Sequence, residues 1–247
     1  MKCPNCGKEV SEEFKYCPHC GHPLKEGDKE YYVRLARENR AKGKMLDAVR
    51  FCEKALEFGE DAFIHKDIGD VYYLIGSLTK AIDHFRKAIS LSPDFADAHY
   101  SLGIAYYRAG MVEEALKEFK RAIELNPEFA MAYYWIGIAY YHTGNLEESI
   151  EAFKKLLELN PESKIAHYRI GVALNALGRY KEAIEHFRKI ERVAPNHAAL
   201  YYHLAYAYFY AHDITRAINT LRKAIKLNPK DKRAREFLEM IAEGGKV

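Results

Sequence analysis

The chain contains no glutamine, a single tryptophan, and no run of about 20 apolar residues. Without such a run there is no candidate membrane span. The best stretch, residues 198–211, is short, interrupted by His203 and crowded with tyrosines. Missing glutamine beside abundant Lys and Glu leans towards a thermophilic prokaryote. An excess of charge is missing too: 38 Lys+Arg against 35 Asp+Glu leave +3. That near-balance argues against a dedicated polyanion binder, so nucleic acid is a disfavoured partner. Met1 and Lys2 run straight into Cys3, with no apolar stretch for a secretory signal. The expected location is the cytoplasm. Catalytic motifs are absent as well: no Gly-rich phosphate loop, no His-Glu-x-x-His, no nucleophile elbow. The expectation is a protein that is not an enzyme.

Proline is scarce, and its placement is informative. Three of the eight fall in the first 23 residues; the others are Pro93, Pro127, Pro161, Pro195 and Pro229, each 34 residues after the last. Even spacing of this kind marks internal repeats. Cysteine is equally concentrated, with four of five in the first 20 residues.

Those four read CPNCG and CPHCG. Cys3 and Cys6 are two residues apart, as are Cys17 and Cys20. Two Cys-x-x-Cys turns can point four thiolates at one tetrahedral ion, and four sulfurs leave no open position for substrate. The metal is therefore expected to be structural: one zinc ion on Cys3, Cys6, Cys17 and Cys20. Iron held by similar turns and a redox dithiol are weaker readings. Gly7 and Gly21 can turn sharply and let backbone N–H groups approach the thiolates; Pro4 and Pro18 stiffen the turns. His19 and His22 read as exposed residues rather than spare ligands. Residues 1–27 carry four lysines and four glutamates, a neutral balance poor for phosphate and better suited to docking protein. This segment resembles the short zinc ribbons that open many prokaryotic proteins, over residues 2–24.

Aligned on the prolines, the remainder divides into blocks 62–95, 96–129, 130–163, 164–197 and 198–231, with a further block at 29–61 that is one residue short. The eighth residue is small: Gly69, Gly103, Gly137, Gly171 and Ala205. The twentieth is Ala81, Ala115, Ser149, Ala183 and Ala217. The twenty-fourth is Phe85, Phe119, Phe153, Phe187 and Leu221, with Cys52 in the short block. Each block has an apolar 3.6-residue periodicity in both halves, split near a glycine (Gly43, Gly76, Gly110, Gly144 or Gly178) able to end a helix in a left-handed conformation. The last block has His212 there, so its first helix is expected to end differently. Each proline is expected to halt one helix and open the next, with Asn126, Asn160 and Asn228 as N-caps. Residues 232–243 read as a capping helix whose Phe237, Leu238 and Ile241 cover the final repeat.

The period and the small/aromatic pattern resemble the tetratricopeptide repeat (TPR), over residues 29–231. The resemblance implies an all-α fold: six helix pairs stacked in a right-handed superhelical solenoid within residues 28–247, after the ribbon at 1–27. It also implies that the first helix of each pair lines a concave groove, and that the protein binds other proteins.

Positions 2, 5, 9 and 12 of a block share one helical face. Position 2 supplies Phe63, Met131 and Ile165; position 5, Lys66, Tyr100, Tyr134, Tyr168 and Tyr202. Position 9 supplies Ile104, Ile138, Val172 and Tyr206; position 12, Tyr73, Tyr107, Tyr141, Asn175 and Phe209. Residues 130–141 are all apolar, so one face is expected to stay open as a binding stripe. The expected ligand is an apolar or aromatic-rich peptide or helix of a partner protein. Alternatives are a groove filled by the chain's own ribbon or a second copy, a self-associating scaffold, and a nucleic-acid- or ribosome-associated factor using the ribbon. Lys66 sits at a carboxylate-clamp position, but Asp70 replaces the expected asparagine, which weakens a clamp. Arg34, Arg37 and Arg40 read as a solvated face paired with Glu30 and Glu38. His65, His99 and His167 recur at position 4, which argues for packing between helices rather than a second metal.

Overall fold

The computed structural model describes residues 1–3, 6–14, 16–21 and 27–244. Pro4 and His22, given roles above, lie outside them. The described residues include thirteen helices and the isolated antiparallel bridge of Lys2 with Glu9. The helices are α1 (Lys29–Ala41), α2 (Met45–Leu56), α3 (Ala62–Leu74), α4 (Leu78–Leu91), α5 (Ala96–Arg108) and α6 (Val112–Leu125), then α7 (Ala130–His142), α8 (Leu146–Leu159), α9 (Lys164–Ala176), α10 (Tyr180–Val193), α11 (Ala198–Tyr210), α12 (Ile214–Leu227) and α13 (Lys232–Ala242). Two compact units result, Met1–Leu125 with the ribbon and three helix pairs, and Asn126–Val247 with three pairs and the capping helix.

Each first helix packs on its own second helix through the residues that repeat. The position-20 residues are fully buried, and so are the rings of Phe85, Phe119, Phe153 and Phe187. The glycine at position 8 is needed for that contact. A Cβ on Gly137 would lie 2.6 Å from the Phe153 ring, closer than carbon atoms can approach. The chain makes the same point by exchange. Where position 8 carries a methyl, at Ala36 and Ala205, its partner is smaller than phenylalanine, Cys52 or Leu221, and both are buried. Ser149, the one polar residue at position 20, satisfies its hydroxyl by donating to the Gly137 carbonyl at 2.7 Å.

Each first helix ends on a left-handed residue. Gly43, Gly76, Gly110, Gly144 and Gly178 have φ between 74° and 81°. His212 has φ 64°, so the last pair turns in the same way without glycine, contrary to expectation. The hydrogen bonds explain why: Asp213 N–H reaches the Tyr208 carbonyl and His212 N–H reaches Phe209, as Asn145 and Gly144 reach Tyr140 and Tyr141. This paired closure satisfies carbonyls at the helix end and holds the histidine in a conformation it would otherwise avoid.

The prolines sit differently from expectation. Helices α4, α6, α8, α10 and α12 stop two residues before a proline, and the next helix starts three residues after it. The residue before proline is extended, with φ −141° at Ser92 and −143° at Asn160, as its clash with the proline ring demands. The proline therefore ends the second helix but does not enter the next one. For the same reason Asn126, Asn160 and Asn228 are not N-caps. Asn160 and Asn228 are C-caps, and the Asn126 and Asn228 side chains accept from the backbone N–H two residues on, a loop turn. Ser163 and Asp231 cap α9 and α13 instead.

Candidate functional site

Two places in the chain carry chemistry beyond packing. At the amino terminus, Gly7 N–H donates to the Cys3 carbonyl and Gly21 N–H to the Cys17 carbonyl, at 2.9 and 2.8 Å. Both glycines have φ near 70°, so the two knuckles are copies of one turn. Cys3 and Cys17 are buried with Val10, and Cys6 and Cys20 lie outside them. The sulfurs of Cys3 and Cys20 are 3.6 Å apart, as are those of Cys6 and Cys17, and all four lie within 4.8 Å of one another. Tetrahedral zinc with bonds of about 2.3 Å separates its sulfurs by about 3.8 Å, so the residues fit the ion. A backbone N–H at Lys8 favours the Cys6 thiolate, but burial and the other three sulfurs outweigh it and push that thiol up to about 12. Four sulfurs this close cannot all ionise without a cation among them. His19 is exposed and outside the cluster.

The second place is the face of the first helices, which differs between the two units. In the amino-terminal unit it is charge-paired. Lys66 binds Asp70 at 2.9 Å, and Arg40 reaches Asp67 and Asp70 at 3.8 Å. The partners of Arg40 are thus on α3, not on its own helix; Arg34 lies 3.9 Å from Glu38. A cleft of about 480 Å³ between α1 and α3 carries both signs, with Lys29, Arg34 and Arg37 beside Glu30, Asp61 and Asp67. The Phe63 ring packs on Phe95, Arg108 covers Tyr73, and Tyr100 packs near Phe119; Tyr107 is half-buried. The Arg34 guanidinium lies over Tyr16 of the ribbon at 5.1 Å.

In the carboxy-terminal unit, α7, α9 and α11 contain no Asp or Glu. Met131 and Ile165 are exposed, at 49% and 48%, with Tyr134, Tyr141, Tyr168 and Val172 half-buried beside them. Three expectations for the first-helix face of the two units need correction. Ile104 and Ile138 are 9% and 6% exposed, so position 9 belongs largely to the core and the open stripe is narrower than residues 130–141 suggested. Asn175 is buried and donates to the His203 carbonyl at 2.9 Å, tying α9 to α11. Tyr202, Tyr206 and Phe209 all contact the Phe237 ring. The capping helix covers the final repeat as expected, and it uses residues assigned above to the groove.

The position-4 histidines do pack between helices, and they also hydrogen-bond. His65 and His167 meet His84 and His186 through their Nδ1 atoms at 3.1 and 2.9 Å, while His99 meets Glu118 at 2.6 Å. His99 Nε2 and the Tyr201 hydroxyl donate to the Pro93 and Pro195 carbonyls, anchoring the loop. Burial, with the neighbouring His167 and Lys189, pulls His186 down to about 4; burial, with Arg233 and Arg169, does the same to His203. His84 and His167 are lowered by burial as well. For His99 burial acts downward, yet its bonds to Glu118 and Pro93 outweigh it and hold it above the usual value.

A histidine lowered by folding contributes stability that is complete above the unfolded value near 6.5 and is lost as pH falls. His203 alone should cost about 2 kcal/mol between pH 7 and pH 5. His99 works in the opposite sense, stabilising below that value and fading as pH rises through its raised one. The urea midpoint is therefore expected to fall from pH 7 to pH 5, and His203→Phe should flatten the fall. An unchanged slope in that variant would count against the assignment.

Comparison with known proteins agrees with this architecture. Family models described as tetratricopeptide repeats match residues 69–110, 100–164, 147–198 and 174–241, which together span well over half of the chain. The chain belongs to the tetratricopeptide-repeat proteins. A zinc-ribbon domain model matches residues 2–24, the segment that holds the four cysteines. No catalytic family is among these matches. The solved structure of YrrB, described as a TPR protein with an unusual peptide-binding site, is 25% identical, covering 76% of this chain and 97% of its own, with TM-score 0.69. PilF of Pseudomonas aeruginosa (20% identity, 85% and 96% coverage, TM-score 0.70) and a TPR protein of Cytophaga hutchinsonii (21%, 87% and 89%, 0.74) share the fold. Human protein arginine N-methyltransferase 9 is 34% identical over 82 residues, 33% of this chain and 10% of that protein. The chain thus spans about a tenth of that relative's length. No helix among the described residues is long and apolar enough to cross a membrane.

Proposed function

We propose that this TPR protein is a non-enzymatic adaptor that receives an apolar or aromatic-rich peptide or helix of a partner protein on the first-helix face of its carboxy-terminal unit. One observation carries the reading: exposed Met131 and Ile165, flanked by half-buried tyrosines, lie on helices that contain no carboxylate. Apolar side chains left open on a folded surface gain by being covered, and tyrosines beside them can hydrogen-bond a peptide backbone. The peptide-binding description of YrrB supports this reading by likeness. The ribbon, with one structural zinc ion on its four cysteines, is proposed as a second docking module; its neutral charge suits protein.

The test is a double variant, Met131→Asp with Ile165→Asp, at positions that tolerate charge because they face water. Capture of partners from a native cell extract is expected to drop at least about tenfold while the helical signal stays unchanged. Undiminished capture would overturn the proposal. Asp at Ile104 or Ile138 would be uninformative, since those side chains are buried and the chain would lose its core.

A further inference from the structure

The second helices α2, α4, α6, α8 and α10 interleave acidic and basic side chains, whereas α12 carries Arg216, Arg222, Lys223 and Lys226 and no carboxylate. The other repeats show what has changed. Position 19 is Glu114, Glu148 and Glu182 in three of them and Arg216 in the last. Glu151 and Glu185 at position 22 give way to Asn219, and Glu124 and Glu158 at position 29 to Lys226. The cationic run continues into α13 with Lys230, Lys232, Arg233 and Arg235. Residues 214–235 thus hold eight Lys and Arg against one carboxylate, Asp231, before Glu236, Glu239 and Glu243 follow. The total of +3 averages over this uneven distribution, and the rest of the chain is net negative.

All eight cations are exposed. Arg216 lies 3.3 Å from Asp213, Lys223 3.3 Å from Glu191 and Arg233 3.4 Å from Asp231. Among the described residues, Arg222, Lys226, Lys230, Lys232 and Arg235 have no carboxylate within ion-pair distance. Helix stability does not account for the arrangement. Arg216, Lys232 and Arg233 stand in first turns, where the helix dipole disfavours positive charge. Arg222 and Lys226, four residues apart, repel each other.

Between residues 215 and 226 the exposed side chains are Thr215, Arg216, Asn219, Arg222, Lys223 and Lys226. Each can donate a hydrogen bond, and none is aliphatic or aromatic. A surface for protein would carry apolar or aromatic anchors and few lysines. Nucleic-acid interfaces are instead polar and strongly positive, and Thr and Asn join Lys and Arg in contacting phosphate. We infer that the outer face of α12, with the start of α13, docks the phosphate backbone of a nucleic-acid duplex. No ring on this face offers a base a stacking platform, so contact is with phosphates and independent of sequence. The surface lies on a second helix, and the inference stands without the first-helix reading above.

The experiment uses the full chain and two fluorescein-labelled DNA duplexes of equal length and unrelated sequence. A polyglutamate peptide and phosphatidylserine vesicles serve as further probes. Both duplexes are expected to bind alike, with a Kd on the order of 10⁻⁵ M at physiological salt that weakens steeply as salt is raised. Arg222→Gln with Lys226→Gln should weaken binding about tenfold and reduce the slope of log K against log salt by about 2. Lys154→Gln with Lys155→Gln removes the same charge from α8 and should leave binding within about twofold. Circular dichroism should show both double variants folded, since all four side chains are exposed. Failure of the duplexes to bind, or equal losses in the two variants, would overturn the surface. A strong preference for one duplex would overturn backbone contact. Tighter binding of polyglutamate or of the vesicles, abolished by the α12 substitutions, would overturn the nucleic-acid assignment.

Discussion

Cys17→Ser is expected to release the metal and unfold the ribbon while the thirteen helices persist. The ribbon's own core among the described residues is Cys3, Val10 and Cys17, far too little apolar surface to offset the entropy of ordering the segment. Folding energy must come from the metal, and structural zinc in comparable small modules supplies about 10–16 kcal/mol. The four sulfurs lie within 4.8 Å, so losing one leaves three that cannot saturate a tetrahedral ion. The wild type should contain one zinc per chain by elemental analysis and the variant none. Its helical circular dichroism should be unchanged, and proteolysis should concentrate before α1. The Arg34 contact with Tyr16 should be lost with the ribbon, making α1 the helix whose amide exchange quickens. A variant that retains full metal would contradict the four-cysteine site.

Phe153→Ala should cost about 3–5 kcal/mol, the largest effect expected within the repeats. The ring is fully buried and lies against Gly137, so its removal leaves a cavity between α7 and α8 that a rigid helix pair cannot close. The reciprocal change is more diagnostic. Gly137→Ala places a Cβ 2.6 Å from the same ring, and the overpacking should cost about 1–3 kcal/mol. Adding Phe153→Leu should recover most of that loss, because the chain already pairs Ala205 with Leu221 in its last repeat. Urea denaturation of the two single variants and the double completes the cycle. Simple additivity of the two costs would show that the position-8 and position-24 side chains do not limit each other.

Much of this was legible in the primary structure because it rests on local chemistry repeated many times. A 34-residue period, small residues at positions 8 and 20 and an aromatic at 24 describe a helix pair whichever repeat is read. The metal site was readable for a related reason: ligand spacing within a turn is local. The errors lie where a residue's role depends on neighbours distant in the chain. Ile104 and Ile138 look like surplus apolar residues on a helix, and only packing shows that they are buried. Asn175 matches a groove position, yet its amide is spent on the His203 carbonyl. Tyr202, Tyr206 and Phe209 would line an open end were Phe237 not against them. The misplaced asparagine caps came from treating proline as the start of a helix, when its restriction on the preceding residue governs the end of the one before.

The central claim is that the first-helix face of the carboxy-terminal unit holds the partner. Amide hydrogen exchange of the full chain, with and without a saturating partner recovered by native capture, addresses it directly. The account predicts slowed exchange in α7 and α9, around Met131 and Ile165, with α8, α10 and α12 unchanged. Protection confined to those second helices, or to the ribbon alone, would contradict it.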